Sequence, residues 1–289
     1  MLYNVCMEVM IMKNLVKLLT KDEEIRIFIV DATNILERSN LKDMKTGFAR
    51  QLYMNIFIDC CLLRGFLTEV DQRINVRIRF KLTGHTVLCD IDGSGNVNCI
   101  FSSQLAAYNG SFNDLVGEGA SLSISRGGWK IGMFTGTVEL KSDTIDSCFS
   151  YFYSKSEQTK TIFRSWIENG IARGCLIQPL PFCNINNLQF VTDSLDSAEK
   201  HITTEQWAEL PMRFPYATVV DEYIVQSECH CSKEMFFGIL MSIETEELKK
   251  SIEIGKNEEL ECGICGKRYI FRTNDLETIV RMKESEQDG

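Results

Sequence analysis

No run of eighteen apolar residues occurs in the chain, which excludes a transmembrane helix. Positive charge is also scarce: 31 Lys and Arg stand against 40 Asp and Glu, a net charge of −9. Affinity for phosphate backbones comes from clustered basic side chains that release counterions, so we expect neither nucleic acid nor membrane as a partner. Histidines number three and none has a triad-like neighbourhood; P-loop and GxSxG motifs are missing as well. DGSGN and VGEG look like phosphate loops only superficially, because no helix start follows in register, and they read as turns. Nothing here recommends an enzyme. The opening MLYNVCMEVMIMKNLVKLL lacks a basic n-region and is interrupted by Glu8, unlike a secretion signal. We expect a cytoplasmic protein, with Met12 a candidate start codon.

What is present is the composition of a globular protein, 44% hydrophobic and 25% charged, with 289 residues to build one large domain and a satellite. Ile25, Ile27 and Ile29 alternate as in a half-buried strand, and apolar residues recur at helical spacing from Gly47 to Val70. From Ile74 to Leu140, strand-like stretches separated by glycine turns predict antiparallel hairpins. TIDSCFSYFYSKSEQ then reads as a helix, and TIFRSWI with ARGCLIQPLP as strands. The fold class expected is α+β: a large N-terminal domain of antiparallel sheets and helices over 12–183, a helical linker over 184–227, and, over 228–284, a small C-terminal domain whose two close cysteine pairs mark it as zinc-binding. In the linker, Leu195, Ala198, Ile202, Trp207 and Leu210 sit at helical intervals, and Thr203 with Gln206 matches a capping box. Short helices that depend on tertiary packing are predicted there.

Twelve cysteines exceed what packing requires, and in a reducing compartment they read as free thiols, metal ligands or redox groups. Spacing singles out four. ECHCSKEM carries Cys229 and Cys231, and thirty residues later CGICGKRYIF carries Cys262 and Cys265. Four thiolates in two close pairs suit a tetrahedral Zn2+, one per chain. Gly263 and Gly266 permit the tight turn, Tyr269 and Phe271 supply a returning strand, and Lys267 and Arg268 stand where they can offset surplus negative charge. In so small a module metal binding is folding, worth about 10 to 16 kcal/mol in zinc-finger peptides. The CxC spacing adds a redox option, because a bridge within that half needs a bend and strained bridges are labile. His230, trapped between two ligands, points away from them in an extended segment. Cys60 and Cys61 read as core residues of a helix, and Cys6, Cys89, Cys99, Cys148, Cys175 and Cys183 as core or surface thiols.

The order CxC, thirty residues, CxxC behind a long α+β domain resembles the 33 kDa chaperonin, or heat-shock protein 33, family. NDLVGEG (113–119), FYSKSEQ (152–158), GCLIQPLP from Gly174, CHCSKE (229–234) and CGICGKRYIF (262–271) resemble family segments in the same order, over roughly 13–281. The resemblance implies an ATP-independent, redox-regulated holdase, idle when reduced and zinc-bound. On oxidation it implies disulfides Cys229–Cys231 and Cys262–Cys265, zinc release, a loosened linker, a homodimer, and binding of unfolding client proteins. Phe190, Trp207, Leu210 and Phe214 are the candidate client-binding residues. A zinc-ribbon nucleic-acid-binding accessory factor is the alternative, disfavoured by the acidic balance.

Overall fold

The computed structural model describes residues 13–128 and 132–287. The expectations for Cys6 and for Met12 as a start codon fall outside the described residues. Two compact units divide between Glu228 and Cys229.

In chain order the first unit contains β1 (Leu15–Thr20), β2 (Ile25–Asp31), α1 (Thr33–Leu36), α2 (Gly47–Leu63), β3 (Arg73–Arg79), β4 (Thr86–Asp92), β5 (Val97–Phe101) and α3 (Ser103–Ala106). It continues with β6 (Ser121–Gly128), β7 (Gly132–Glu139), α4 (Ile145–Ser156), β8 (Ile162–Glu168), β9 (Ile171–Pro179), α5 (Ile185–Ile202) and β10 (Ala217–Tyr223). The strands form two five-stranded sheets, ordered β10-β1-β2-β9-β8 and β5-β4-β3-β6-β7, and every pairing between neighbours is antiparallel. Each β3 side chain alternates between core and surface, as a sheet covered on one side requires. β2 differs. Phe28 and Val30 are as buried as Ile25, Ile27 and Ile29, so the half-buried strand expected from alternation is a central strand covered on both faces.

The two covers of the first sheet have different origins. On one face lies the main core, built around α2, which packs against β8 and β9 of this sheet and β4 and β5 of the other. Thr46 caps α2, its hydroxyl accepting from the Ala49 amide at 3.0 Å. Apolar residues wrap all round the helix's C-terminal half, as in an element enclosed by protein. On the opposite face, Leu188, Val191, Leu195 and Ile202 form one stripe of α5, joined by Leu210 and Phe214, over Val16, Leu18, Ile25, Ile27, Ile29, Cys175 and Ile177.

α5 corrects the expectation of short linker helices. It is continuous over 18 residues, because its stripe is seated on the apolar sheet face. Asn184 caps its start through the Asn186 amide at 3.0 Å. Thr203 ends this helix rather than starting the next, and its hydroxyl donates to Glu168 at 3.2 Å. The following 3-10 turn, Trp207–Arg213, has no side-chain cap.

Beyond β10 the chain is fastened beside β5. Gly95 O accepts from the Gln226 amide, the Val97 amide donates to Gln226 O, and the Asn98 side chain donates to Glu228 O at 3.0 Å. Gly95 permits this approach, with φ +103 and room for no Cβ, which would lie 2.3 Å from Ile224 O. The fastening stops one residue before Cys229.

The second unit holds α6 (Phe237–Met241), α7 (Thr245–Glu253), the hairpin strands β11 (Glu258–Glu261) and β12 (Arg268–Phe271), and α8 (Thr273–Gln287). Its core is small: Phe236, Leu240, Leu248, Tyr269, Phe271, Leu276, Ile279 and Val280, with Cys262. None of the helices among the described residues is long and apolar enough to cross a membrane.

Candidate metal centre

Cys262 and Cys265 lie in the turn between β11 and β12. The Cys262 amide donates to Lys267 O and the Gly266 amide to Cys262 O, both at 2.9 Å, closing a tight loop around the second pair. Gly266 is the residue that needs glycine, at φ +71; Gly263 has no left-handed conformation. Cys229 and Cys231 arrive from an irregular segment that enters the turn before α6.

The four sulfurs converge. All lie within 4.8 Å of one another, with Cys229 Sγ 3.8 Å from Cys262 Sγ and Cys231 Sγ 3.5 Å from Cys265 Sγ. A tetrahedron with metal–sulfur bonds of about 2.3 Å has edges of about 3.8 Å. The donor set therefore fits one tetrahedral ion, and sulfur alone selects a thiophilic one such as zinc over calcium or magnesium.

Burial pushes the Cys229 thiol up to about 11 and raises Cys265 as well. Burial also works to raise Cys231, but the Tyr269 hydroxyl and the neighbouring thiols outweigh it and hold this thiol below its ordinary value. Tyr269 was expected only as a strand residue. In the structure its hydroxyl lies 3.1 Å from Cys231 Sγ and donates to Cys231 O at 2.7 Å, fixing both the backbone and the sulfur of Cys231. The sequence signal for it was its period-2 partnership with Phe271, which turns both residues inward from β12.

Charge around the cluster is arranged differently from the expectation. Arg268 faces Glu259 and Glu261 at 3.3 and 3.1 Å, while the Lys267 ammonium lies 5.1 Å from the centroid of the Tyr269 ring. Lys233, two residues after Cys231, pairs with Asp275 at 2.7 Å, and Asp275 in turn accepts from the Arg272 amide at the start of α8. His230 is exposed.

Of the candidate client-binding residues, Leu210 and Phe214 are buried against the first sheet and Trp207 is half-buried, its indole donating to Lys13 O at 3.1 Å. Phe190 is 56% exposed and touches Tyr216 edge-on. They share the layer that covers the sheet.

Comparison with known proteins agrees with this architecture. A 33 kDa chaperonin of Latilactobacillus sakei subsp. sakei is 28% identical over 295 residues, spanning 92% of this chain and 98% of that protein. A second 33 kDa chaperonin, of Bacillus cereus (strain G9842), is 22% identical over 288 residues with the same coverages. The crystal structure of the 33 kDa chaperonin (heat shock protein 33 homolog) of Thermotoga maritima has the same fold, with a TM-score of 0.79 over 95% of this chain and all of that one, at 17% identity. The family model described as Hsp33 protein matches residues 13–272, and the chain accordingly belongs to the Hsp33 family of chaperones.

Proposed function

We propose that the chain is an ATP-independent holdase of a reducing cytoplasm whose activity is governed by oxidation of Cys229, Cys231, Cys262 and Cys265. The observation that carries this reading is the convergence of these four sulfurs in a unit whose own core is too small to persist unaided. Bound Zn2+, one per chain, supplies the crosslink that keeps this unit folded in the reduced state. Oxidation joins Cys229 to Cys231 and Cys262 to Cys265. With hydrogen peroxide as oxidant, each thiolate pair yields two electrons, one S–S bond forms, the O–O bond breaks, and two protons taken from solvent complete two waters. Thiolate ligands are lost and the unit from Cys229 onward unravels.

The domain organisation we propose places the working surface on the core domain, 12–183, with 184–227 as a removable cover and 228–284 as the sensor. Support comes from the layer itself, since the stripe of α5, with Leu210 and Phe214, shields a continuous apolar sheet face. The fastening of 224–228 to β5 ends at the first ligand, so unravelling beyond Cys229 pulls at a seam held by few hydrogen bonds. Release of the cover presents Phe190, Trp207, Leu210, Phe214 and the bared sheet to unfolding clients, and the same apolar surface drives the oxidised chain to a homodimer.

The test is light scattering of a heat-unfolding client with zinc release followed by a chromogenic chelator. Peroxide with mild heat is expected to produce zinc release and suppression of aggregation together, and peptide mapping to find the two within-pair disulfides. Release of zinc without protection of the client overturns the holdase reading. Disulfides that run between the two halves overturn the pairing.

A further inference from the structure

A second sulfur cluster lies in the main core, far in sequence from the first. Cys60 comes from α2, Cys89 from β4 and Cys99 from β5, and their sulfurs lie within 4.8 Å of one another. All three are buried, at 0%, 3% and 0% exposure. Cys89 and Cys99 face each other in register across β4 and β5. The pairs on either side fix the type of this position: the Asp92 amide donates to Asn96 O and the Ser102 amide to Thr86 O, so alternation along the ladder makes Cys89–Cys99 a non-hydrogen-bonded pair, in which side chains approach most closely. Cys60 closes the triangle from the helix above.

We propose that Cys60, Cys89 and Cys99 form a three-thiol site that takes a trivalent arsenical as its neutral tris-thiolate. Three sulfurs and no carboxylate or imidazole make up this donor cluster, a soft set suited to a thiophilic centre. The surroundings then choose by charge. In an apolar core any net charge is strongly disfavoured. Three thiolates around a cuprous ion leave two negative charges, and around zinc or cadmium one; around a trivalent centre they leave none. Burial likewise raises all three thiols well above their ordinary range, so they wait as protonated donors and are poor nucleophiles toward oxidants.

The exchange needs no oxidant. Arsenous acid meets three thiols, three As–O bonds break, three As–S bonds form, and each thiol proton leaves with a hydroxide as water. Because arsenous acid is itself uncharged, it can pass into the core during transient opening without carrying charge across it. The product joins α2 to β4 and β5, so binding stabilises the first unit.

The experiment uses the full, reduced, zinc-loaded chain incubated with sodium arsenite and desalted. Elemental analysis is expected to find one arsenic per chain with zinc undiminished, and the melting temperature of the first unit to rise. Rapid denaturation into iodoacetamide is expected to leave Cys60, Cys89 and Cys99 unmodified while Cys61, adjacent in α2 and equally buried but outside the cluster, is alkylated. Cys60→Ala and Cys99→Ala should reduce bound arsenic to background, with Cys61→Ala unchanged; the alkylation pattern of the wild-type chain decides the matter if either variant fails to fold. Arsenic taken up only as zinc is lost places it at the four-cysteine cluster and overturns the proposal. So does no uptake at all, or alkylation of the three cysteines as fast as of Cys61.

Discussion

The Arg173 guanidinium, buried on β9, donates from Nη1 to Ile202 O at 2.6 Å, at the last residue of α5. The same nitrogen reaches Glu205 O at 2.8 Å, and Nε pairs with Asp31 at 2.8 Å. One side chain thus fastens the end of the covering helix to the strand beneath it. Removing one member of such a buried arrangement leaves the others unpaired, at a cost of roughly 3 to 5 kcal/mol. Arg173→Ala is expected to loosen the 185–214 layer while the zinc unit stays loaded, giving dye binding and client protection without oxidant. A variant silent until oxidised, like the parent, would show that this fastening does not restrain the cover.

Tyr269 provides a finer probe of the metal centre, because Tyr269→Phe removes only a hydroxyl. The ring keeps its packing against Phe236, 5.0 Å between centroids, so the small core should survive. The hydroxyl's hold on Cys231 is lost, and outer-shell changes of this kind typically weaken metal binding by about 10- to 100-fold. Competition with a chromogenic chelator under reducing conditions measures it. An unchanged zinc affinity would reduce the Tyr269 contact to packing.

Metal removal under reducing conditions separates folding from redox chemistry. Stripping with a strong chelator, with the thiols kept reduced, should collapse hydrogen-exchange protection from Cys229 to the end of α8, while amides of α2, β2 and β9 in the main core retain theirs. Protection that persists from 229 onward would mean that the small core stands unaided.

Local signals made much of this molecule legible and long-range ones did not. The convergence of Cys229, Cys231, Cys262 and Cys265 was readable because each pair is close in sequence and the turn between β11 and β12 advertises itself through Gly266. The central helix was readable because the apolar run from Gly47 has no competing period. Cys60, Cys89 and Cys99 offered no spacing to read: they meet only because β4 and β5 pair in one particular register and α2 crosses them. The burial of Phe28 was hidden for the same reason: alternation reports one covered face, here Ile25, Ile27 and Ile29 beneath α5, and cannot reveal that the main core around α2 covers Phe28 and Val30 on the other. The length of α5 likewise came from the sheet beneath it, not from its own weakly apolar sequence.

Asp59 supplies a pH prediction. It is fully buried on α2 and neither carboxylate oxygen has a hydrogen-bond partner. Burial, with a smaller contribution from Asp146, raises its pKa well above the ordinary carboxylate value. The folded chain therefore keeps a proton that the unfolded chain has already lost above about pH 4. Below that pH both states are protonated and Asp59 contributes no slope; above it the unfolded state binds fewer protons, so stability falls as pH rises, by about 1.4 kcal/mol per unit until the folded pKa is reached. Asp59→Asn matches the side chain in shape and cannot ionise. Denaturant midpoints of the reduced, zinc-loaded variant should equal those of the parent near pH 4 and exceed them increasingly toward pH 7. Parallel midpoint curves for the two proteins across that range would mean that the carboxyl is solvated or paired in solution, contrary to its burial.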